Sequence, residues 1–236
     1  MKRLHLMCLA YNQAELVEEA ISLCEAQRGG YPAFSKTLYN PRYPLAKEPE
    51  HSMRLIACAM NHGWEYVEIE NGGVAQNWAQ AIAYKKLTAG DVLVGIDPDE
   101  RPQEFGWVPA LMDVFNNAPE CYYVGLNQEG IQGGTVKEIG TTKVLDYPHL
   151  IAWPIGGFDI GWLNKIGGIQ QDHAVYGYIE HNVSRRASAM GGRFYMLRDF
   201  YDLHLQSTDA KYQEWKSACA AHKTKLTLDG WLNAQR

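Results

Sequence analysis

Asp91-Val92-Leu93-Val94-Gly95-Ile96-Asp97-Pro98-Asp99-Glu100-Arg101-Pro102 is the stretch on which the fold turns. Val92, Leu93, Val94 and Ile96 form an apolar run of strand length without polar alternation. Such a run reads as a strand covered on both faces, as in a parallel sheet. In open sheets of this kind ligands bind beyond the carboxyl ends of the strands. Asp97 and Asp99 stand at that end, and Pro98 stops the ladder and spaces their side chains. Two carboxylates so placed suit one hard, oxygen-seeking cation such as Mg or Mn. An Asp- and Pro-rich surface turn would use the same residues.

Outward from this stretch, 236 residues fit one α/β domain, or one with a modest extension. With 46% hydrophobic and 21% charged residues the composition is that of a soluble globular chain, and no apolar run reaches membrane-spanning length. Met1-Lys2-Arg3 leads into a strand-like run rather than a signal peptide, which predicts a cytoplasmic protein. Cys8, Cys24, Cys58, Cys121 and Cys219 are odd in number and contain no Cys-x-x-Cys pair. They read as small core residues, not as a disulfide framework or a zinc knuckle. A net charge of −5 offers no global attraction to nucleic acid or to an anionic membrane.

On both sides of the acidic strand the chain alternates strand and helix. Leu4 to Leu9 is a short apolar run, and Asn12 with Glu15 three residues later has the pattern of a capping box. Leu16, Val17, Ala20, Ile21, Leu23 and Cys24 then keep helical spacing to Gln27. A strand is predicted at Lys36 to Tyr39, followed by a Pro-rich loop through Pro41, Pro44 and Pro49. The next helix opens at Ser52, carries Leu55, Ile56, Ala59 and Met60, and ends at Gly63. Tyr66, Val67 and Ile69 suggest another strand, and Asn71-Gly72-Gly73 a turn into a helix with Trp78, Ala81, Ile82 and Lys85. Trp107 introduces a helix with Val108, Leu111, Met112 and Phe115 on one face. The pattern is a repeated β-α unit with right-handed crossovers. From Cys121 onward the many glycines, among them Gly133-Gly134, Gly156-Gly157 and Gly167-Gly168, predict mixed strands and loops. Lys211 to Arg236, with Tyr212, Trp215, Cys219, Leu226, Leu228 and Trp231, reads as one helix and an aromatic-bearing end. It either packs on the domain or contacts a second copy.

Four motifs recur in a telling order: Ala10-Tyr11-Asn12, Asn71-Gly72-Gly73-Val74-Ala75-Gln76-Asn77, Asp97-Pro98-Asp99 and Asp202-Leu203-His204. Taken together they resemble a glycosyltransferase of the GT-A fold, most similar to the family 2 type. The resemblance implies an α/β nucleotide-diphospho-sugar transferase fold with a Rossmann-like, mostly parallel central sheet flanked by helices. Residues 1–210 would form this domain, with a nucleotide-sugar half at 1–102 and an acceptor half at 103–210, and 211–236 a helical extension. It further implies a metal-dependent transfer of a hexosyl or pentosyl group from a nucleoside-diphosphate sugar to an acceptor hydroxyl. Ala10, Tyr11, Asn12, Asn71, Gly73, Asn77, Asp97 and Pro98 would line the donor pocket. Asp97 and Asp99 would hold Mn or Mg across the two phosphates, with His204 as third ligand, whose imidazole suits Mn at least as well as Mg. The helix starts near Asn12 and Gly73 are expected to present backbone N–H groups to the nucleotide.

The acceptor side resembles the family less closely. Trp153-Pro154-Ile155-Gly156-Gly157-Phe158 and Ile166-Gly167-Gly168-Ile169 resemble its glycine-bearing acceptor segment. Tyr176-Gly177-Tyr178-Ile179-Glu180-His181-Asn182, with Arg185-Arg186, resembles the Gly-x-Glu-Asp stretch that supplies the base of inverting relatives. His181 replaces the second carboxylate there and Ile179 is an extra residue, so either Glu180 or His181 would take the acceptor's proton. Glu180 equally suits an ion pair with Arg185 or Arg186. Glu180 to Gly192 also resembles a motif of retaining polypeptide-sugar transferases, which leaves both stereochemical outcomes open.

Tyr39-Asn40 lacks the usual Asp-Asp-Gly-Ser type signature, so the nucleobase stays open. Arg193 and Arg198 are candidates for phosphate neutralisation, and Trp153, Phe158 and Trp162 for stacking on a sugar. Tyr39 to Pro44 and Ile131 to Val136 are candidates for loops that close over the donor. His5, His51, His62 and His222 read as surface or hydrogen-bonded core residues. A glycan, a lipid, a protein or a modified nucleobase would each serve as acceptor. A nucleotidyltransferase would share the acidic motif but would want a Gly-rich, Lys- or Arg-bearing phosphate loop, which Leu9-Ala10-Tyr11-Asn12 does not offer. A catalytically inactive sugar- or nucleotide-binding GT-A-like domain is kept open by the departure at His181.

Overall fold

A computed structural model describes residues 1–128, 133–147, 155–170, 179–205, 209–221, 226 and 228–235, the side chains of Glu180 and Asp229 excepted. Ile131, Trp153, Pro154, Tyr176, Gly177, Tyr178 and His222 of the expectations above lie outside the described residues. In chain order the elements are β1 (Arg3–Leu9), α1 (Ala14–Gln27), β2 (Ser35–Asn40), α2 (Glu50–His62), β3 (Glu65–Glu68), α3 (Val74–Lys85), β4 (Asp91–Ile96) and β5 (Glu100–Pro102). They continue with α4 (Trp107–Asn117), β6 (Cys121–Gln128), β7 (Thr135–Ile139), β8 (Thr142–Tyr147), β9 (Gly156–Asp159), α5 (Ile160–Lys165), α6 (Ile179–Ala189), β10 (Arg193–His204), α7 (Ala210–Ala220) and α8 (Leu228–Ala234).

The strands form one sheet in the order β3-β2-β1-β4-β9-β6-β10-β8-β7, with β5 paired to β10 off that path. β1 is parallel to β2 and β4, β2 to β3, and β6 to β10. β9 enters antiparallel between β4 and β6, so these two still run the same way. The sheet is therefore mostly parallel, and β1 to β4 deliver their carboxyl ends to one edge.

The unalternating run in β4 has its reason in packing on both faces. Val92, Val94 and Ile96 join a core formed with α1, α2 and α4, while Leu93 turns into a second core with α3, α5 and α6. Each fully buried aliphatic side chain contributes on the order of 2 kcal/mol. All five cysteines are unpaired and buried in these cores or under α7. A third cluster joins Tyr43 to Tyr212, Trp215, Cys219 and Leu228, so the end of the chain packs on the loop after β2. It holds two helices, α7 and α8, where the sequence predicts one. No helix among the described residues is long and apolar enough to cross a membrane.

Two local expectations fail for identifiable reasons. Gln13, not Asn12, occupies the N-cap of α1 and makes no side-chain cap bond. Glu15 instead meets Arg54 of α2, whose guanidinium also holds Glu18 (3.0 and 2.5 Å). An ion pair between helices has taken the acid that the capping box required. Tyr39 to Pro44 is no loose lid: Tyr39 and Tyr43 are buried, and Asn40 accepts from Arg42 N (2.9 Å) and donates to Tyr66 OH (2.9 Å).

At the opposite end of β4, Asp91 is 1% exposed and accepts from Arg3 Nε (2.6 Å) and Nη2 (3.0 Å), Thr88 N (2.7 Å) and Thr88 Oγ1 (3.0 Å). Burial alone would raise its pKa; these donors outweigh burial and bring it to about 2. His5 packs beside it, with Nδ1 2.8 Å from Ser35 Oγ and Nε2 3.3 Å from Asp91 Oδ1. Burial lowers the His5 pKa against the pull of Asp91. Because the folded Asp91 pKa lies below the unfolded value of about 3.9, its contribution of about 2 kcal/mol is complete above that pH and lost as pH falls toward 2. The buried neutral His5 acts in the same sense, its protonation costing stability below about pH 6.5. The urea midpoints of wild type and Asp91→Asn are expected to converge between pH 6 and pH 2.5. A gap that stays constant would contradict the assignment.

Candidate functional site

The carboxyl ends of β1, β2, β3 and β4 bring Ala10 to Asn12, Tyr43, Asn71 to Gly73 and Asp97 to Asp99 to one edge of the sheet. Ala10 is buried, its N–H bonded to Tyr39 O (2.8 Å). Tyr11 meets Tyr43 edge-on at 5.4 Å, and its hydroxyl accepts from Asn71 Nδ2 (3.2 Å). Gly73 takes φ 87°, a left-handed conformation that glycine allows without strain, and so turns the chain into α3. The N–H groups of Gln13, Gly72 and Gly73 are used within these turns. Asn12 Oδ1 accepts from Gln13 N (2.9 Å), Asn71 Oδ1 from Gly73 N (3.2 Å) and Asn77 Oδ1 from Gly72 N (3.2 Å). The three asparagines thus brace the edge.

After Ile96 the chain turns at once, Glu100 N donating to Asp97 O (3.1 Å) and Arg101 Nη1 to Pro98 O (2.7 Å). β5 then pairs antiparallel with the end of β10, and the register sets His204 opposite Glu100. Leu205 N donates to Asp99 O (2.6 Å). His204 Nε2 consequently lies 3.5 Å from Asp99 Oδ2, although the two residues are far apart in the chain. Asp202 shares the His204 side of the strand, because residues two apart point to one face. Gln128 Nε2 ties it (3.2 Å) to Glu100 (2.9 Å).

Four carboxyl groups therefore crowd this end of β4. Asp97 is exposed to solvent at the turn after β4, with protein packed around it. Loss of surrounding water raises its pKa above the ordinary carboxylate range, and the charge of Asp99 adds to this. Burial opposes the Asp99 charge as well, but His204 and then Lys216 outweigh it and hold that carboxyl below its usual range. The same contact raises His204. Glu100 and Asp202 are both pushed up, first by burial and, at Glu100, then by the charge of Asp202. As a pair of carboxylates they would leave Glu100 Oε2 and Asp202 Oδ1 without a donor. Acids driven toward protonation by one another, with an imidazole among them, are a donor set that fits Mn or Mg. Among the described residues no three His, Cys, Asp or Glu side chains are grouped closely enough to hold a metal ion; the pair in contact is Asp99 with His204.

The acceptor-side residues fall elsewhere or outside the description. His181 is exposed at the start of α6, and the side chain of Glu180 lies outside the described residues. Arg186 binds Asn182 Oδ1 (2.7 Å) and the carbonyls of Ile166 and Gly168, fixing the Gly167-Gly168 turn. Arg193 faces Asp146 and Arg198 faces Asp199, both carboxylates, so neither is placed as a phosphate group's partner. Phe158 is core, and Trp162 is buried with its indole N–H on Pro119 O (2.9 Å), so neither presents a sugar platform. The sequence reading quoted Glu100 and Asp202 within its motifs but gave neither a part in the acidic cluster. For Asp202 the period of two along β10 was the available signal.

Sheet order, flanking helices and an acidic turn beyond β4 define the GT-A fold of nucleotide-diphospho-sugar transferases. The chain is similar to the crystal structure of GalNAc-T7 with UDP, GalNAc and Mn2+, with TM-score 0.69 and 11% identity over 97% of this chain and 52% of that one. It is similar also to the mannosyltransferase PcManGT from Pyrobaculum calidifontis in complex with GDP-Man and Mn2+, with TM-score 0.64 and 17% identity over 95% of this chain and 62% of that one. S. aureus TarS 1-349 gives TM-score 0.56 and 12% identity over 84% and 60% of the two chains. The chain thus spans between 52% and 62% of the length of these structures. No protein-family model and no curated protein sequence matches it.

Proposed function

We propose that the protein is a metal-dependent glycosyltransferase of the family 2 type, transferring a hexosyl or pentosyl group from a nucleoside-diphosphate sugar to an acceptor hydroxyl. The observation that carries this reading is the contact of His204 with Asp99 beside Asp97, at the edge that also holds Tyr11 and Asn71. The likeness to proteins crystallised with UDP or GDP-Man and Mn2+ supports it. Residues 1–210 are the proposed catalytic unit, and 211–236 its extension.

Asp97, Asp99 and His204 would hold Mn or Mg, which when bound supplies positive charge where the diphosphate develops negative charge. Ala10, Tyr11 and Asn12 would line the nucleoside end, with Asn71, Gly73 and Asn77 keeping that wall in place and Pro98 setting the spacing of the carboxylates. Transfer breaks the bond between the anomeric carbon and a diphosphate oxygen, which keeps the electron pair. The carbon then bonds to the acceptor oxygen, whose proton goes to Glu180 or His181 in the inverting version. Melting curves with UDP-, GDP-, CDP- and TDP-sugars test the reading. One donor is expected to raise the melting temperature by on the order of 5 °C, with Mn present and not without it. If no donor gives a Mn-dependent shift, the reading fails.

A further inference from the structure

The main-chain carbonyls of the acidic turn are all held, though not alike. Asp97 O accepts from Glu100 N (3.1 Å) and Asp99 O from Leu205 N (2.6 Å), both backbone donors. Pro98 O, between the two aspartates, accepts from a side chain, Arg101 Nη1 (2.7 Å). That side chain reaches beyond the turn. Nη1 also meets Glu100 O (2.8 Å), while Nη2 donates to Leu16 O (3.2 Å) and Glu19 Oε2 (2.9 Å) on α1.

Leu16 lies in the first turn of α1, just after Ala10-Tyr11-Asn12, and Arg101 itself lies on β5, whose pairing with β10 sets His204 opposite Glu100. One guanidinium, 2% exposed, thus joins the helix behind the nucleoside wall to the turn that carries Asp97 and Asp99. Packing alone does not call for such a residue. Burying a guanidinium costs free energy that an equally buried carboxylate can offset, yet the carboxylate it meets is that of Glu19, 58% exposed and screened by water. An apolar side chain would fill the space at lower cost. It would not hold carbonyls from segments 85 residues apart.

We propose that Arg101 is a positioning residue for the metal ion of the donor site. Through Pro98 O it fixes the turn of Asp97 and Asp99, and through Leu16 O it locks that turn to the helix behind Tyr11. The proposal rests on the glycosyltransferase reading of the same edge. The charge of Arg101 works the other way, since a cation near the site repels Mn, so any gain in metal affinity comes from position. The planar fork of arginine serves acceptors on two sides, which the compact ammonium of lysine does not.

Mn binding to the full chain, alone and with UDP or GDP, is read from the electron paramagnetic resonance of free Mn2+ against a protein-free control. Arg101→Lys keeps the charge and is expected to weaken Mn by about tenfold or more in the condition where wild type binds it, as loss of a group orienting metal ligands does. Asp91→Asn, at the far end of β4, also lowers stability and is expected to leave Mn affinity within about twofold of wild type, which separates position from fold. Should Arg101→Lys not fold, Glu19→Ala takes its place, removing the anchor on α1 from an exposed position with an expected loss of about threefold. Mn affinity equal to wild type in the folded variant overturns the role of Arg101 alone. Failure of wild type to bind Mn in any of these conditions overturns the metal-dependent glycosyltransferase reading, and this proposal with it.

Discussion

Asp97→Asn is expected to reduce sugar transfer by about a thousandfold or more in kcat/KM, while the apoprotein melts no lower than wild type. The two halves of this expectation have one cause. Asp97 is an acid whose charge the site tolerates poorly, because surrounding protein strips its water and Asp99 repels it. Its amide would remove that repulsion at nearly constant shape. Under the proposed role a bound cation would offset this repulsion, and functional sites commonly hold such strain. Activity with the best donor and a metal-free melting curve would be measured on the same preparation. Retained activity would remove Asp97 from the site, and a large fall in melting temperature would show that its carboxylate serves the fold.

Gly156→Ala is expected to lower stability by more than about 3 kcal/mol, the largest effect of any single methyl group proposed here. β9 is wedged antiparallel between β4 and β6, where Gly156 lies in register with Gly95 on one side and Gly125 on the other. A Cβ at Gly156 would fall 2.4 Å from Val124 O and 2.7 Å from both Gly125 Cα and Tyr123 Oη. Two of these atoms are backbone and have no rotamer through which to yield. Gly95→Ala meets instead the Trp78 ring at 2.6 Å, a side chain that can shift, and is expected to cost less. Urea unfolding of both variants gives the order. A Gly156→Ala midpoint close to wild type would mean that β9 does not pass so near β6.

The strand and helix alternation was legible because its signals are local. The apolar run of β4, the helical stripe of α1 and the left-handed turn at Gly63 each follow from a few neighbouring residues. The capping box at Asn12 and Glu15 was equally local and did not form, because Arg54 from another helix offered Glu15 a charged partner. The same limit applies to the tail: aromatic residues at helical spacing predict a packed helix, but only Tyr43 and Tyr11 show what it packs on. Phe158 and Trp162 have the chemistry of a sugar platform, and burial in the sheet removes them from it.

The sequence by itself determined the α/β class and the placing of Asp97 and Asp99 at the carboxyl end of a buried strand, since strand ends and side-chain periods are properties of neighbouring residues. The tertiary structure alone decided that His204 stands against Asp99, that Gln128 ties Glu100 to Asp202 beside them, and that α7 packs on Tyr43 and Tyr11. These depend on the antiparallel register of β5 with β10 and on where α7 lands, contacts between residues on the order of a hundred positions apart. Whether a carboxyl group stays charged depends on the water and the charges around it, and those are set only when distant segments pack together.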